Sequence, residues 1–378
     1  MKMVLALILI LAASFAQAKE TVTVGLASNF SELSTVSFSP FGGYFKDAIK
    51  LAISDNQKAL DKANIEIELQ EFDYGKDEIN VLKKVKEAAQ SKSIVVMGYN
   101  YSAPALLSAP LHVEQKLPVI YPSASANRLS TFGKYVHLGS FSNDFMVETL
   151  AKIASQTIKA KKVLVLAAVD CAYCMDLVKS FEEEIKEYDT GIVKTIQLLE
   201  KDSDFTKVAE EAKKLKFDAV FVPCQELTAA RLISALIEAG ITKPFLGADG
   251  WGNEGSEFFR VLKGKRFTGY SVTHWHPQLA TQKSKKFVAD YLKRFNKLPN
   301  DTSVLAYDSM TLLIQTLAKT KPLTRENLEK NLSLVKTFDG ITGKAYWVAH
   351  QAPRKDIVVL KTTDTGFAID QIKAVARE

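Results

Sequence analysis

Ile94-Val95-Val96-Met97-Gly98-Tyr99-Asn100-Tyr101-Ser102 decides how this chain folds. A continuous apolar run, Ile94 to Met97, suits a strand buried on both faces of a parallel sheet. Gly98 breaks the run, and Ser102 stands where a helix would open. A strand that ends in a short polar loop and feeds a helix is half of a βαβ unit. Backbone N–H groups at such a helix mouth, with a serine hydroxyl beside them, suit a carboxylate. An ordinary N-cap serine is the plain alternative.

The same alternation extends outward in both directions. Upstream, Val22 to Leu26 reads as a strand, and Phe45, Ala48, Ile49 and Ala52 mark one helix face. Ile65 to Phe72 predicts a strand and Ile79 to Ala89 a helix. Downstream come helix Ala103 to Gln115 and strand Pro118 to Tyr121. A second array begins after Phe141. Val147, Leu150, Ala151 and Ala154 form a helix face, and Val163 to Leu166 a buried strand. Helix Met175 to Tyr188, strand Ile192 to Leu198 and the face of Phe205, Val208, Ala209, Ala212 and Leu215 continue it. Strand Ala219 to Val222, helix Leu227 to Ile237 and strand Phe245 to Ala248 close it. Two βα arrays predict an α/β chain with two doubly wound parallel sheets. From about Ser271 the pattern changes. A strand-like segment through Trp275 leads to helices at Ser284–Phe295, Val304–Leu317 and Arg325–Leu332, then short strands at Tyr346–Val348 and Ile357–Leu360.

Ligands of open α/β sheets bind beyond the carboxyl ends of the strands. That rule selects six loops: Ser37–Gly43, Gly98–Ser102, Pro122–Asn127, Asp170–Cys174, Pro223–Glu226 and Gly247–Asn253. In the last, glycines let the backbone approach a ligand, and Asp249 offers a negative charge to an ammonium group. Gly250, Gly252 and Gly255 also spell G-x-G-x-x-G. The motif falls late in the chain and has no acidic residue about 20 positions on, so a dinucleotide site is not expected. Cys171 and Cys174 form C-x-x-C at a strand-to-helix junction. A local disulfide or a pair of buried thiols is the favoured reading, and a thiol-redox site the rival. With Cys224 they would make a three-thiolate metal site, but no metal is expected. His274 and His276 are read as alternating on one strand face. No Ser-His-Asp spacing, nucleophile elbow or phosphate-binding loop occurs.

The start of the chain fixes a compartment. Lys2, an apolar run of 14 residues from Met3 to Ala16, and the A-x-A pattern Ala16-Gln17-Ala18 make a secretory leader. The run is shorter than the roughly 20 residues that cross a bilayer. Cleavage before Lys19 leaves about 360 residues, room for two domains of roughly 100–200 residues each. With 49 Lys and Arg against 43 Asp and Glu, the chain is mildly basic. The two signs are interleaved along helical stretches such as Lys76 to Lys92, which argues for solvated faces rather than a nucleic-acid surface.

In this order and behind a leader, the loops resemble those of the periplasmic leucine/isoleucine/valine-binding proteins of ABC transporters, over nearly the whole mature chain. The correspondence rests on Gly98–Ser102, Pro122–Ser125 and Gly247–Asn253, the last resembling the family's G-P-E-G-x-G-N stretch. The resemblance implies a type I periplasmic-binding fold: two Rossmann-like lobes with parallel sheets, three crossovers and a ligand cleft between. It implies lobe one at 19–141 and 274–348, and lobe two at 142–273 and 349–378, after a signal peptide at 1–18. By position, Ser102 matches the hydroxyl that holds the ligand carboxylate, and Ala124 and Ser125 the contacts to its α-groups. Asp249 matches the glutamate that takes the ammonium, and Tyr173 an aromatic wall. Gln225 stands where the family often has tyrosine, and Ser39–Tyr44 at the side-chain pocket. Departures include Asp249 in place of glutamate, the absence of cysteine between Asp73 and Lys92, and the added Asp170, Cys171, Cys174 and Glu226.

The expectation is therefore a soluble periplasmic receptor, monomeric and not an enzyme, working with a membrane permease and without cofactor or nucleic acid. Its ligand is expected to be an apolar, aromatic or branched-chain amino acid, because Phe41, Tyr44, Tyr99, Tyr101, Tyr173 and Trp251 lie in or beside the six loops. The alternatives are a sensor of the same fold for a cationic amine, amide or other small solute, and an exported thiol-redox protein using Cys171 and Cys174.

Overall fold

The alternation of buried strands and amphipathic helices is realised in a computed structural model that describes residues 18–30, 41–75, 77–252, 257–348, 350–364 and 366–375. The leader up to Gln17, most of the Ser37–Gly43 loop, and Asn253 and Gly255 lie outside the described residues.

The first lobe is laid down by β1 (Glu20–Ser28), α1 (Phe41–Asp55), α2 (Gln57–Ala63), β2 (Ile65–Asp73), α3 (Glu78–Gln90), β3 (Val95–Gly98), α4 (Ser102–Glu114), β4 (Val119–Tyr121) and β5 (Val136–Leu138). Its five strands are parallel, in the order β2-β1-β3-β4-β5. The second lobe follows with α5 (Asn143–Lys152), β6 (Lys162–Ala168), α6 (Ala172–Glu184), β7 (Gly191–Leu198), α7 (Thr206–Lys213), β8 (Ala219–Phe221), α8 (Glu226–Glu238), β9 (Phe245–Gly247), α9 (Glu257–Leu262) and β10 (Gly269–Thr273). The chain then returns through α10 (Gln282–Phe295), α11 (Asp301–Leu317) and α12 (Arg325–Ser333), which share a hydrophobic core with the first sheet. A small hairpin of β11 (Thr337–Gly340) and β12 (Gly343–Tyr346) precedes the last passage. Finally β13 (Ile357–Thr362) and β14 (Phe367–Lys373) extend the second sheet antiparallel to β10, giving the order β14-β13-β10-β9-β8-β6-β7.

The chain thus passes between lobes three times, at 139–142, 274–281 and 347–356. In each sheet the first strand has neighbours on both sides, β2 and β3 around β1, β7 and β8 around β6. These are the topological switch points, where open α/β sheets bind ligands beyond the carboxyl ends of their strands. The turn after β3 depends on Gly98, whose φ is +145° and where a Cβ would stand 1.9 Å from the Ala27 carbonyl oxygen.

Some expected boundaries move. His274 and His276 lie beyond β10, which ends at Thr273, so the two do not alternate on a strand; both are buried in the passage between lobes. The strand expected at Tyr346–Val348 ends at Tyr346. β5, β11 and β14 were not expected from the pattern. The first two are three and four residues long, and β14 is a half-exposed edge strand, too short or too mixed to show a period. Among the described residues no helix is long and apolar enough to cross a membrane.

Candidate functional site

Asp249 lies just past β9, after Ala248, in a single 3₁₀ turn, with its side chain 14% exposed. Oδ1 accepts a 2.6 Å hydrogen bond from the Tyr173 hydroxyl, and Oδ2 lies 3.2 Å from Nε2 of the fully buried His274. Burial drives the His274 pKa down to about 4, with Lys355 adding to the effect and the bond to Asp249 opposing it. The ring is therefore neutral near pH 7 and donates through Nε2, which leaves Nδ1 as an acceptor with no hydrogen-bond partner among the described residues. Burial, and next the charge of Asp249, push the Tyr173 hydroxyl well above its usual range, so it remains a donor. The same hydroxyl accepts from the Gly250 N–H at 2.9 Å. A side chain at Gly250 would meet the Tyr173 ring at 2.9 Å, so glycine is what lets the loop close on Tyr173. Asp249 is thus held by two neutral donors, and among the described residues no lysine or arginine pairs with it. A carboxylate so placed offers its oxygens to a cationic group.

On the first lobe, Ser102 is the first residue of α4 and 3% exposed. Tyr101, half-buried, holds the N-cap position, so the N-cap reading of Ser102 does not hold. The Ser102 hydroxyl has no hydrogen-bond partner among the described residues, and neither does Oδ1 of the buried Asn100 beside it. Unmet polar atoms at a helix mouth are what a ligand or water would satisfy. Ala124 and Ser125 are buried after β4. The Ala124 carbonyl accepts from the Ser140 hydroxyl at 3.0 Å, and the Ser125 carbonyl from the Asn143 N–H at 2.9 Å. They tie this loop to the first passage between lobes, through Ser140, and to the start of α5, through Asn143. Phe41 opens α1, but its side chain lies outside the described residues.

Two of the aromatic residues in or beside the six loops are core residues. Tyr99 is fully buried and stacks on Tyr74 with centroids 5.8 Å apart. Trp251 is fully buried, donates from Nε1 to the Val222 carbonyl at 2.9 Å and stacks on Phe258. Tyr44 lies under Lys297, 4.1 Å from ring centroid to Nζ, against the core of lobe one. Tyr173, expected as a wall, turns its hydroxyl to Asp249 and Gly250.

Cys171 and Cys174 are joined in a disulfide at the start of α6, and Cys224 is a buried free thiol whose pKa burial raises well above the usual range. The two bonded sulfurs and a Glu200 oxygen lie within 4.8 Å of one another, but sulfurs bonded to each other offer no thiolate, so the three-thiolate site does not form in this state. Gln225 caps α8, half-buried, and its N–H donates to Glu200 Oε1 at 2.9 Å.

The three passages between lobes meet behind Asp249. Phe141 of the first stacks on His274 of the second at 3.7 Å, and Lys355 of the third holds Nζ 5.6 Å from the Phe141 ring centroid. Lys355 is 1% exposed and donates to Thr342 Oγ1 at 2.9 Å. Nearer the surface, Asn127 of lobe one bonds Asp176 and Ser180 of α6 in lobe two. No local pattern marks His274 or Lys355, because their roles arise only where distant passages converge.

Two doubly wound lobes joined by three passages define the type I periplasmic-binding fold. The chain belongs to the periplasmic binding protein family, whose sequence model matches residues 21–366. No curated protein matches it in sequence. Among solved structures it resembles the leucine-binding protein LivK of Thermotoga maritima, with a TM-score of 0.83, 22% identity, and coverage of 93% of this chain and 99% of that one. It also resembles LivJ, the branched-chain amino acid transporter substrate-binding protein of Streptococcus pneumoniae solved with isoleucine (TM-score 0.82, 23% identity, 94% and 99% coverage). A solute-binding protein of an ABC transporter from R. palustris, solved with benzoate, is similar at TM-score 0.81, 19% identity, and 95% and 98% coverage. At these identities the likeness concerns the fold.

Proposed function

We propose that this chain is a solute receptor of an ABC transporter, exported by its leader and not an enzyme, that closes two lobes on an amino acid. Lobe one comprises 19–141 and 274–348, lobe two 142–273 and 349–378. The ligand carboxylate lies at the α4 mouth with Ser102, and near Ser125; the ammonium lies at Asp249. Tyr101, Phe41 and Gln225 flank an apolar, aromatic or branched side chain. Hinge closure brings the lobes together and presents both to a permease, with the receptor acting as a monomer. The observation that carries this reading is the Asp249 carboxylate, held in the loop after β9 by neutral donors and lacking a cationic partner among the described residues.

A second reading has one specific support, the relative solved with benzoate. An aromatic acid would still use Ser102 but would leave Asp249 without a cation and facing a second anion. A thermal-shift screen separates the two. At a hundred times Kd a ligand stabilises by about 2.7 kcal/mol. Apolar amino acids raise Tm if the first reading holds. Shifts from benzoates alone, or from neither class, contradict it.

A further inference from the structure

The wall of lobe two holds a group of atoms that solute binding does not use. Cys171, half-buried, caps α6, while Cys174 is fully buried, and their disulfide closes a ring around Ala172 and Tyr173. Glu200, just past β7, is 6% exposed, and its Oε2 lies 2.9 Å from Cys174 Sγ. The glutamate is fixed on every side. Oε1 accepts from the Gln225 N–H at 2.9 Å, the backbone N–H donates to Asp170 Oδ1 at 2.6 Å, and the carbonyl accepts from Thr228 at 2.8 Å.

A disulfide sulfur carries no hydrogen. An ionised carboxylate 2.9 Å from it would set two acceptors against each other, so the hydrogen in this contact belongs to the carboxyl group. Burial agrees, raising the Glu200 pKa to about 7, with Asp170 acting in the same direction and the bonds from Gln225 and Thr228 opposing. The other titratable groups around it are the Cys224 thiol and the Tyr173 hydroxyl, with Glu226 next along α8. Among the described residues no lysine or arginine pairs with it.

We propose that Cys171–Cys174 is a thiol-exchange site in which the Glu200 carboxyl is the proton donor to the departing Cys174 sulfur. The co-reactant is a dithiol. Its thiolate attacks the accessible Cys171 Sγ and forms a mixed disulfide. The Cys171–Cys174 bond breaks, its electron pair goes to Cys174 Sγ, and that sulfur takes the proton from Glu200 Oε2. The second thiol of the reductant, deprotonated by solvent, then displaces Cys171 as a thiolate. The dithiol leaves as a disulfide, oxidised by two electrons, and the protein holds two reduced cysteines. The released Cys171 thiolate meets the Cys174 N–H, which already lies 3.1 Å from its sulfur at the start of α6. The new Cys174 thiol donates to the Glu200 carboxylate across the contact the acid made before. Tyr173 sits inside the opened ring, so the redox state reaches the residue that holds Asp249.

The test reduces the full-length chain with dithiothreitol between pH 6 and 9, alkylates the freed thiols and follows them by mass. Each rate is divided by the thiolate fraction of the reductant. The wild-type value should fall about tenfold per pH unit above about 7, as Glu200 loses its proton. Glu200→Gln keeps the shape and the bond to Gln225; it should react about 10²-fold more slowly below pH 7 and show no such fall. A wild-type profile that is flat through this range overturns the proposal, whether or not the variant folds. So does a Glu200→Gln variant that folds and reacts at the wild-type rate.

Discussion

The Tyr173 hydroxyl donates to Asp249 Oδ1 at 2.6 Å, joining residues 76 apart in sequence. The bond links the mouth of α6 to the loop after β9, and its oxygen also accepts from Gly250. One phenol therefore sets both the direction of the carboxylate and the path of the backbone behind it.

Tyr173→Phe removes this donor and leaves the Gly250 N–H without its acceptor. Losing one partner of a buried hydrogen bond costs about 1–3 kcal/mol. We expect the affinity for the best amino acid from the screen to drop roughly tenfold to hundredfold. Calorimetry on the variant checks this. Unchanged affinity would mean that Asp249 is oriented without Tyr173.

Ser102→Ala should weaken the same ligand by about 1–2 kcal/mol while leaving the urea midpoint nearly unchanged, because the hydroxyl has no partner in the folded protein among the described residues. A variant that loses stability but not affinity would return Ser102 to a structural role.

Acid should destabilise the fold through two buried histidines. Burial lowers both His112 and His274 from 6.5 to about 4. The unfolded chain then binds these protons first, so stability is full above about pH 6.5 and is lost as the pH falls toward 4. The loss is on the order of a few kcal/mol per residue. Urea midpoints at pH 7.5, 5.5 and 4.5 should fall in that order. Glu200, its carboxyl pKa raised by burial to about 7, gains stability over the same fall and offsets part of the loss, so the series is repeated on Glu200→Gln, where a flat result would show that neither ring is buried in its neutral form.

Much of this was legible in the chain because glycine and β-branched runs punctuate it clearly. Gly98 after Val95–Met97, and Gly247 after Phe245, mark strand ends, and hence the loops carrying Ser102 and Asp249. Which aromatic residues of those loops face a ligand was not legible. Tyr99 and Trp251 sit at strand ends too, but their rings turn inward to fill the core, and the sequence does not state which way a ring faces. His274, Phe141 and Lys355 were illegible for another reason. They belong to three separate passages, and their contact is a consequence of topology rather than of any local period.

The leader prediction rests on Ala16-Gln17-Ala18. N-terminal sequencing of the exported protein should begin at or near Lys19. A chain retaining residues 1–18 in the membrane would refute the proposed compartment.

Asp249 carries the central claim. Removing the carboxylate leaves a buried ammonium unpaired, which costs about 3–5 kcal/mol and corresponds to roughly 10² to 10³ or more in affinity. Isothermal titration of wild type and Asp249→Ala with the best ligand from the screen measures it directly. The account predicts an amine-bearing ligand and a dissociation constant raised by at least about a hundredfold in the variant. An unchanged constant, or a best ligand with no amine, would contradict it.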